Sequence, residues 1–200
     1  MSGVYQSISA PGQGLYKEKG SKFESYAFHV QSESEVQGHL ARIRKLHHKA
    51  RHYCFAYVLK EEDQSRAYDD GEPRHSAGDP ILGQIRSHHL RRTMVVVVRY
   101  FGGTKLGKSG LVRAYREAAK RAIETSQITG FEPSEKILVT FPFAKTDKVL
   151  RLVKDLQLTV VEQNLGITSE LMVEVPLSLI GLLEKGIRSM PEVKTGESPR

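Results

Sequence analysis

The sequence predicts an α+β chain built as two units. Three observations carry this. Apolar residues occur both as short runs of strand length and as stripes spaced three and four apart, so the strand and helix periods are both present. The stretch Thr129-Gly130-Phe131-Glu132-Pro133-Ser134 interrupts that patterning with turn-forming residues and reads as a linker. Beyond it the elements follow the order βαββα(β), a ferredoxin-like split unit. The expected domains are residues 1–130 and residues 135–200.

In the first unit, strands are expected over residues 13–18 and 22–30, turning at Lys19-Gly20-Ser21. A helix over residues 33–47 places Val36, Leu40 and Ile43 on one face. Residues 53–59 form the next strand, followed by an acidic loop that ends in Asp-Gly and Pro turn signals. Residues 77–88 are expected to be helical with Pro80 in the first turn, where its missing N–H costs nothing. Residues 93–101 hold Met94 to Val98, an unbroken apolar run that suits a strand buried on both faces. A long helix from Leu111 to about Ser126 turns Leu111, Tyr115, Ala118 and Ala122 inward.

In the second unit, residues 137–141 form a strand. Val149, Leu152, Val153 and Leu156 mark the inner face of a helix. Residues 158–163 and 168–175 pair as a hairpin across Asn164-Leu165-Gly166. Pro176 opens a helix carrying Leu179, Ile180 and Leu183, residues 191–195 return as a last strand, and residues 195–200 form a frayed tail.

Charge narrows the functional classes. The chain has 30 Lys/Arg against 23 Asp/Glu, a net charge of +7. The excess is local. Residues 74–121 hold eleven Lys/Arg and only Asp79 and Glu117 as acids, whereas residues 136–200 are nearly neutral. Residues 61–72 reverse the sign, with Glu61, Glu62, Asp63, Asp69, Asp70 and Glu72 against Arg66. A basic segment of this kind favours polyanions, and it also fits a solvated helix face. Cys54 is the lone cysteine, which excludes an internal disulfide and cysteine zinc clusters. No apolar run is long enough to span a bilayer, and the first residues lack the charged-then-apolar pattern of a secretory signal, so no membrane partner is expected. With a single cysteine a reducing cytoplasm is expected, and the chain is expected to be a monomer.

The densest block runs from Met94 to Tyr115. A buried strand feeds Gly102-Gly103-Thr104-Lys105-Leu106-Gly107-Lys108-Ser109-Gly110, and a helix follows. Glycines let backbone approach a ligand closely, and a helix N-terminus offers unpaired N–H groups to an anion. Residues 102–109 match the Gly-x-x-x-x-Gly-Lys-Ser pattern of a P-loop, in which Lys108 reaches phosphates and Ser109 holds Mg²⁺. Against this, no downstream apolar strand ends in the second carboxylate that the metal requires. Lys105 and Lys108 on the loop, with Arg113, Arg116 and Lys120 on one helical face, are the candidate phosphate contacts. The competing reading is a hydrated face, with Glu117 pairing to Arg113 or Arg121.

A wider set of blocks resembles a known family. Ala50-Arg51-His52-Tyr53-Cys54, Asp69-Asp70-Gly71-Glu72-Pro73, Ala77-Gly78-x-Pro80-Ile81-Leu82, Val96 to Gly103 with Arg99-Tyr100-Phe101-Gly102-Gly103, Leu106-Gly107, and Gly110 to Tyr115 are similar in order and spacing to the signature of the IMPACT/YigZ family. Two departures stand out. Arg74-His75-Ser76 replace the family's small residue, Gly and Thr, and Ser109-Gly110 replace paired glycines, which with Lys108 creates the P-loop match.

The resemblance implies an N-terminal α/β unit like the second domain of ribosomal protein S-five. It implies a C-terminal ferredoxin-like unit resembling a domain of elongation factor G. It also implies a stand-alone bacterial form without the RWD domain of eukaryotic members, through which those members engage a translation-control complex. The expected function is a non-catalytic regulator of translation that binds RNA or the ribosome, without cofactor or metal. The alternative is a Mg²⁺-dependent nucleotide or phosphoester hydrolase using residues 102–109 and the acidic turn at Asp69–Glu72.

Individual residues keep two readings each. Arg99 follows a buried strand and can pair with Asp69 or Asp70 or meet a ligand. Asp69, Asp70 and Glu72 suit either Mg²⁺ or a tight turn. His47, His48, His52, His75, His88 and His89 lack the spacing of a zinc hydrolase. Cys54 shares a strand face with His52, so it is either a nucleophile or a core residue. Tyr100 and Phe101 either stack on a base or pack.

Overall fold

A computed structural model describes residues 4–60 and 64–197. Glu61, Glu62 and Asp63 of the acidic run and residues 198–200 of the expected tail lie outside the described residues. The chain forms two compact units, Tyr5–Phe131 and the part from Glu132 onward.

The first unit contains β1 (Tyr5–Ala10), β2 (Gly12–Glu18), β3 (Ser21–His29), α1 (Glu33–Leu46), β4 (His52–Val58), β5 (Ser65–Tyr68), α2 (Gly78–Ser87), β6 (Thr93–Tyr100), α3 (Gly107–Glu124) and β7 (Gln127–Phe131). Five strands form an antiparallel sheet in the order β2-β3-β6-β4-β5. Central β6 explains the unbroken apolar run. Because side chains alternate across a strand, Met94, Val96 and Val98 face α1 through Val36, Leu40 and Ile43. Val95 and Val97 face α2 and α3 through Ile81, Ile85, Leu111, Tyr115, Ala118 and Ala122. The sheet is therefore covered on both faces, and β6 has no solvent side.

Local chemistry sets the ends of these elements. Lys19 and Gly20 both have positive φ, and Glu18 pairs with Ser21. That is the two-residue turn whose twist matches flanking strands. The Ser32 hydroxyl accepts from the Glu35 N–H, and the Glu35 carboxylate accepts from the Gln31 N–H, fixing the start of α1.

The structure revises the sequence reading in four places. Residues 65–68 form an edge strand, not part of a loop. The expected linker is strand up to Phe131, because Gln127–Phe131 pairs antiparallel with β1, a strand the sequence reading did not anticipate. Helix α3 starts at Gly107, one turn before Leu111, so Gly107, Lys108, Ser109 and Gly110 are helical. In the second unit, the expected tail begins as a strand, since Lys194–Glu197 pairs with residues 137–140.

The second unit comprises β8 (Ser134–Pro142), α4 (Thr146–Asp155), β9 (Thr159–Asn164), β10 (Thr168–Pro176), α5 (Ile180–Arg188) and β11 (Lys194–Glu197). Its antiparallel sheet has the order β11-β8-β10-β9, which is the ferredoxin-like arrangement of a split βαβ pair. Val149 and Val153 of α4 and Leu183 and Ile187 of α5 pack on Val139, Phe141, Leu171 and Val173 of the sheet. The expected α+β, two-unit fold class is the one observed. Among the described residues no helix is long and apolar enough to cross a membrane.

Candidate nucleic-acid interface

The motif residues converge around one end of the β4–β6 pair. Asp69 and Glu72 bracket a four-residue turn in which the Glu72 N–H donates to the Asp69 carbonyl at 3.0 Å. Both central residues, Asp70 and Gly71, have positive φ, which only a primed turn with Asp-Gly chemistry accepts readily.

Each acid of this turn has its own protein partners. Asp69 accepts from the backbone N–H of His75, Ala77 and Gly78 at 2.8–2.9 Å, capping α2 from a distance since Ala77 has no capping side chain. Burial pushes its carboxyl up, but the N–H donors of Gly78, Ala77 and His75 outweigh that and leave it below the usual range. Asp70 accepts from the Tyr53 N–H at 2.7 Å and lies 3.5 Å from Arg44. Glu72 accepts from Arg99 at 2.6 Å and from the Tyr115 hydroxyl at 2.8 Å. The Arg99 and Glu72 side chains are 7% and 4% exposed. The turn reading of this acidic cluster is thus the one the geometry supports.

Arg99 corrects a sequence expectation. It has the structural role foreseen, but with Glu72, not with Asp69 or Asp70. Its guanidinium also lies between the Phe23 and Phe101 rings, 5.6 and 5.5 Å from their centroids. Phe101 is correspondingly 58% exposed, not packed in the core. Tyr100 does pack, with its hydroxyl 2.9 Å from His47 Nδ1.

Cys54 is a core residue. Its thiol donates to the Asp69 carbonyl at 2.9 Å and lies 3.3 Å from the Tyr115 hydroxyl. Burial pushes it far above its ordinary range, which removes the thiolate a nucleophile needs. His52 contacts the Asp70 carbonyl through Nδ1 at 2.9 Å, so it positions the turn.

The glycine-rich loop follows directly. Gly102 lies against Gly20 and Ser21, where a Cβ would stand 1.9 Å from a backbone carbon, and its N–H donates to the Ser21 hydroxyl. Only glycine fits that approach. Lys105 and Lys108 are exposed, and neither has a carboxylate partner among the described residues. Arg116 is likewise exposed, has no carboxylate partner among the described residues, and lines an open groove of about 570 Å³ with His75 and Asp79. Lys120 pairs with Glu124 at 3.6 Å. Arg113 pairs with Glu18 instead of Glu117, and that bond holds the Glu18 carboxyl low. Arg121 also turns away from Glu117, donating to the Leu15 carbonyl and covering the Tyr16 ring. Of the five candidate contacts, Lys105, Lys108 and Arg116 carry charge that is uncommitted among the described residues.

The Impact N-terminal domain family matches residues 19–123, the span holding all these motifs. The chain belongs to the IMPACT family. It is 38% identical over 120 residues to the IMPACT family member YvyE of Bacillus subtilis, covering 60% of this chain and 55% of that one. It is 35% identical over 118 residues to YigZ of Escherichia coli, covering 58% of each. A Thermus thermophilus member is 37% identical over 134 residues, covering 67% of this chain and 72% of that one. The match thus spans a little over half the length of the first two relatives. A crystal structure of a hypothetical protein, 23% identical, superposes with a TM-score of 0.79 over 100% of this chain and 99% of its own, which extends the fold likeness to both units.

Within this IMPACT chain, His75, where the sequence resemblance leads to the expectation of glycine, has a φ of +64°. The departure sits on a backbone that suits glycine. Two partners escaped sequence reasoning. Glu18 lies far from α3 in sequence, and nothing local marks it. Tyr115 reads as one more apolar stripe residue, although a hydroxyl among alanines was the available signal of a buried acceptor.

Proposed function

We propose that this protein is a non-catalytic, translation-associated factor that binds RNA or the ribosome through the loop at residues 102–106 and the exposed face of α3. The observation that carries the reading is the start of α3. Its first turn has no acidic residue and no side-chain cap, and Lys108 stands there with Lys105 just ahead. A lysine at the positive end of a helix is electrostatically unfavourable unless an anion is near. Phosphate supplies that anion, and the free N–H groups supply donors for it. Arg116 and Lys120 extend the basic surface along the helix.

The likeness of IMPACT/YigZ units to ribosome-facing modules agrees with this reading. The hydrolase alternative draws less support. Its carboxylates, Asp69 and Glu72, are held by backbone amides, an arginine and a tyrosine, and the loop begins pinned to Gly20-Ser21.

The test is binding of the purified protein to ribosomes and structured RNA across a salt series, beside a Lys105→Ala/Lys108→Ala/Arg116→Ala variant. Tight, salt-sensitive binding that the variant loses is expected. No binding at low salt would sink the reading. Mg²⁺-dependent nucleotide turnover lost in Lys108→Ala would favour the hydrolase.

A further inference from the structure

A cavity of about 350 Å³ lies beside the motif cluster, between the turn after α1 and the end of β6. Lys49, Arg51, His52, Arg99, Tyr100 and Phe101 line it. No carboxylate lines it. The acids nearest in the network are already neutralised, Asp70 by Arg44 and Glu72 by Arg99. Lys49 and Arg51 are exposed and have no ion-pair partner among the described residues, so the wall carries uncompensated positive charge.

The walls are fixed. Tyr100 is held by His47, whose other ring nitrogen lies 2.7 Å from the Tyr26 hydroxyl. His52 is held by the Asp70 carbonyl. Arg99 Nε is buried with no hydrogen-bond partner, while Nη1 of the same guanidinium donates to Glu72. The Nε atom is sealed from solvent, so Arg99 lines the cavity beside Lys49 and Arg51 without offering Nε to a ligand in it. Above it the Phe101 ring, already lying on a guanidinium, offers exposed aromatic surface at the rim.

Uncompensated charge and an exposed aromatic ring lining one cavity match a phosphate attached to a planar base. We propose that this cavity binds a nucleoside 5′-phosphate, with the phosphate on Lys49 and Arg51 and the base stacked on Phe101. Two sources present that chemistry, a free mononucleotide and the phosphorylated 5′ end of an RNA strand. The site is distinct from the α3 face and does not depend on RNA binding there.

The experiment is an amide-shift NMR titration of the full chain with AMP and with inorganic phosphate. It is joined to anisotropy measurements on a short RNA carrying either a 5′-phosphate or a 5′-hydroxyl. AMP is expected to shift the amides of residues 49–52 and 99–101. Arg51→Ala, an exposed position, is expected to weaken both AMP and phosphate about tenfold. Phe101→Ala is expected to weaken AMP about tenfold and leave phosphate unchanged. A strand-end source shows as a 5′-phosphate preference of about tenfold or more that Arg51→Ala abolishes; a free-nucleotide source shows as AMP binding with no such preference. Absence of shifts at these amides, with equal affinity for the two RNAs, overturns the site. If RNA binding then still depends on Lys105, Lys108 and Arg116, the α3 reading stands while this one falls.

Discussion

At the residue scale, buried Glu72 is the acceptor on which the motif cluster converges. Removing a buried ion's partner costs far more than the pair contributes, because a desolvated charge is left alone. Glu72→Ala strands both the Arg99 guanidinium and the Tyr115 hydroxyl. It should lower unfolding stability by about 3–5 kcal/mol in urea titrations. The double change Glu72→Leu/Arg99→Met should cost clearly less, because no orphan charge remains. Additive losses would show that the two side chains act independently. His75 offers the opposite sign. A non-glycine residue at φ +64° bears about 1–2 kcal/mol of left-handed strain. Its bond to Asp79 is solvent-exposed and returns little. His75→Gly should therefore stabilise the protein by about 1 kcal/mol, net of glycine's added chain entropy, read as a higher urea midpoint at unchanged slope. A lower midpoint would mean that the His75–Asp79 contact outweighs the strain.

At the scale of elements, α2 depends on an acid outside its own span. Asp69 accepts from three successive parts of the approach and first turn, and those donors lower its folded pKa despite its burial. A depressed carboxyl stabilises the fold fully above its unfolded value of about 3.9 and loses that contribution as pH falls through the lower folded value. Stability measured by urea from about pH 5 downward should thus fall, and Asp69→Asn should flatten that decline while costing stability at neutral pH. An identical acid limb in both proteins would place the titrating group elsewhere. Helix α2 was legible in the sequence from Pro80 and its apolar spacing, as were α1, β6 and the C-terminal βαββα order, because each has a local period. What was not legible is long-range. β1 and β7 form a strand pair from residues more than a hundred positions apart, and β5 borrows its strand character from β4. The early start of α3 was masked because glycines at 107 and 110 read as loop, whereas one has a left-handed φ at the first turn and the other is buried beside Leu106. The Glu72–Arg99 pair was half legible: the sequence offers Arg99 either Asp69 or Asp70 or a ligand, and three acids within four residues are separated only by which way a primed turn points them.

At the scale of the whole molecule, charge is concentrated on the unit that carries the motif cluster, while residues 136–200 hold nine Lys/Arg against eight acids. An electrostatic partner should accordingly be engaged mainly by the first unit. Its affinity should report the number of cations that displace counterions from phosphates. The pairs in the structure separate those cations. Lys105, Lys108 and Arg116 are free to do so, whereas Arg113 is held by Glu18 and Lys120 by Glu124. For single-stranded RNA each phosphate contact contributes about 0.7 to the slope of log affinity against log salt. Replacing Lys105, Lys108 and Arg116 with alanine should reduce that slope by about 2. Arg113→Ala, which first exposes Glu18, should weaken binding through the unmasked acid. Arg113→Ala/Glu18→Gln should restore much of the affinity, since the acid is then gone along with its partner. Equal slopes for the triple variant and the parent protein would move the contact surface off α3, and failure of the double variant to recover would make Arg113 itself a phosphate ligand.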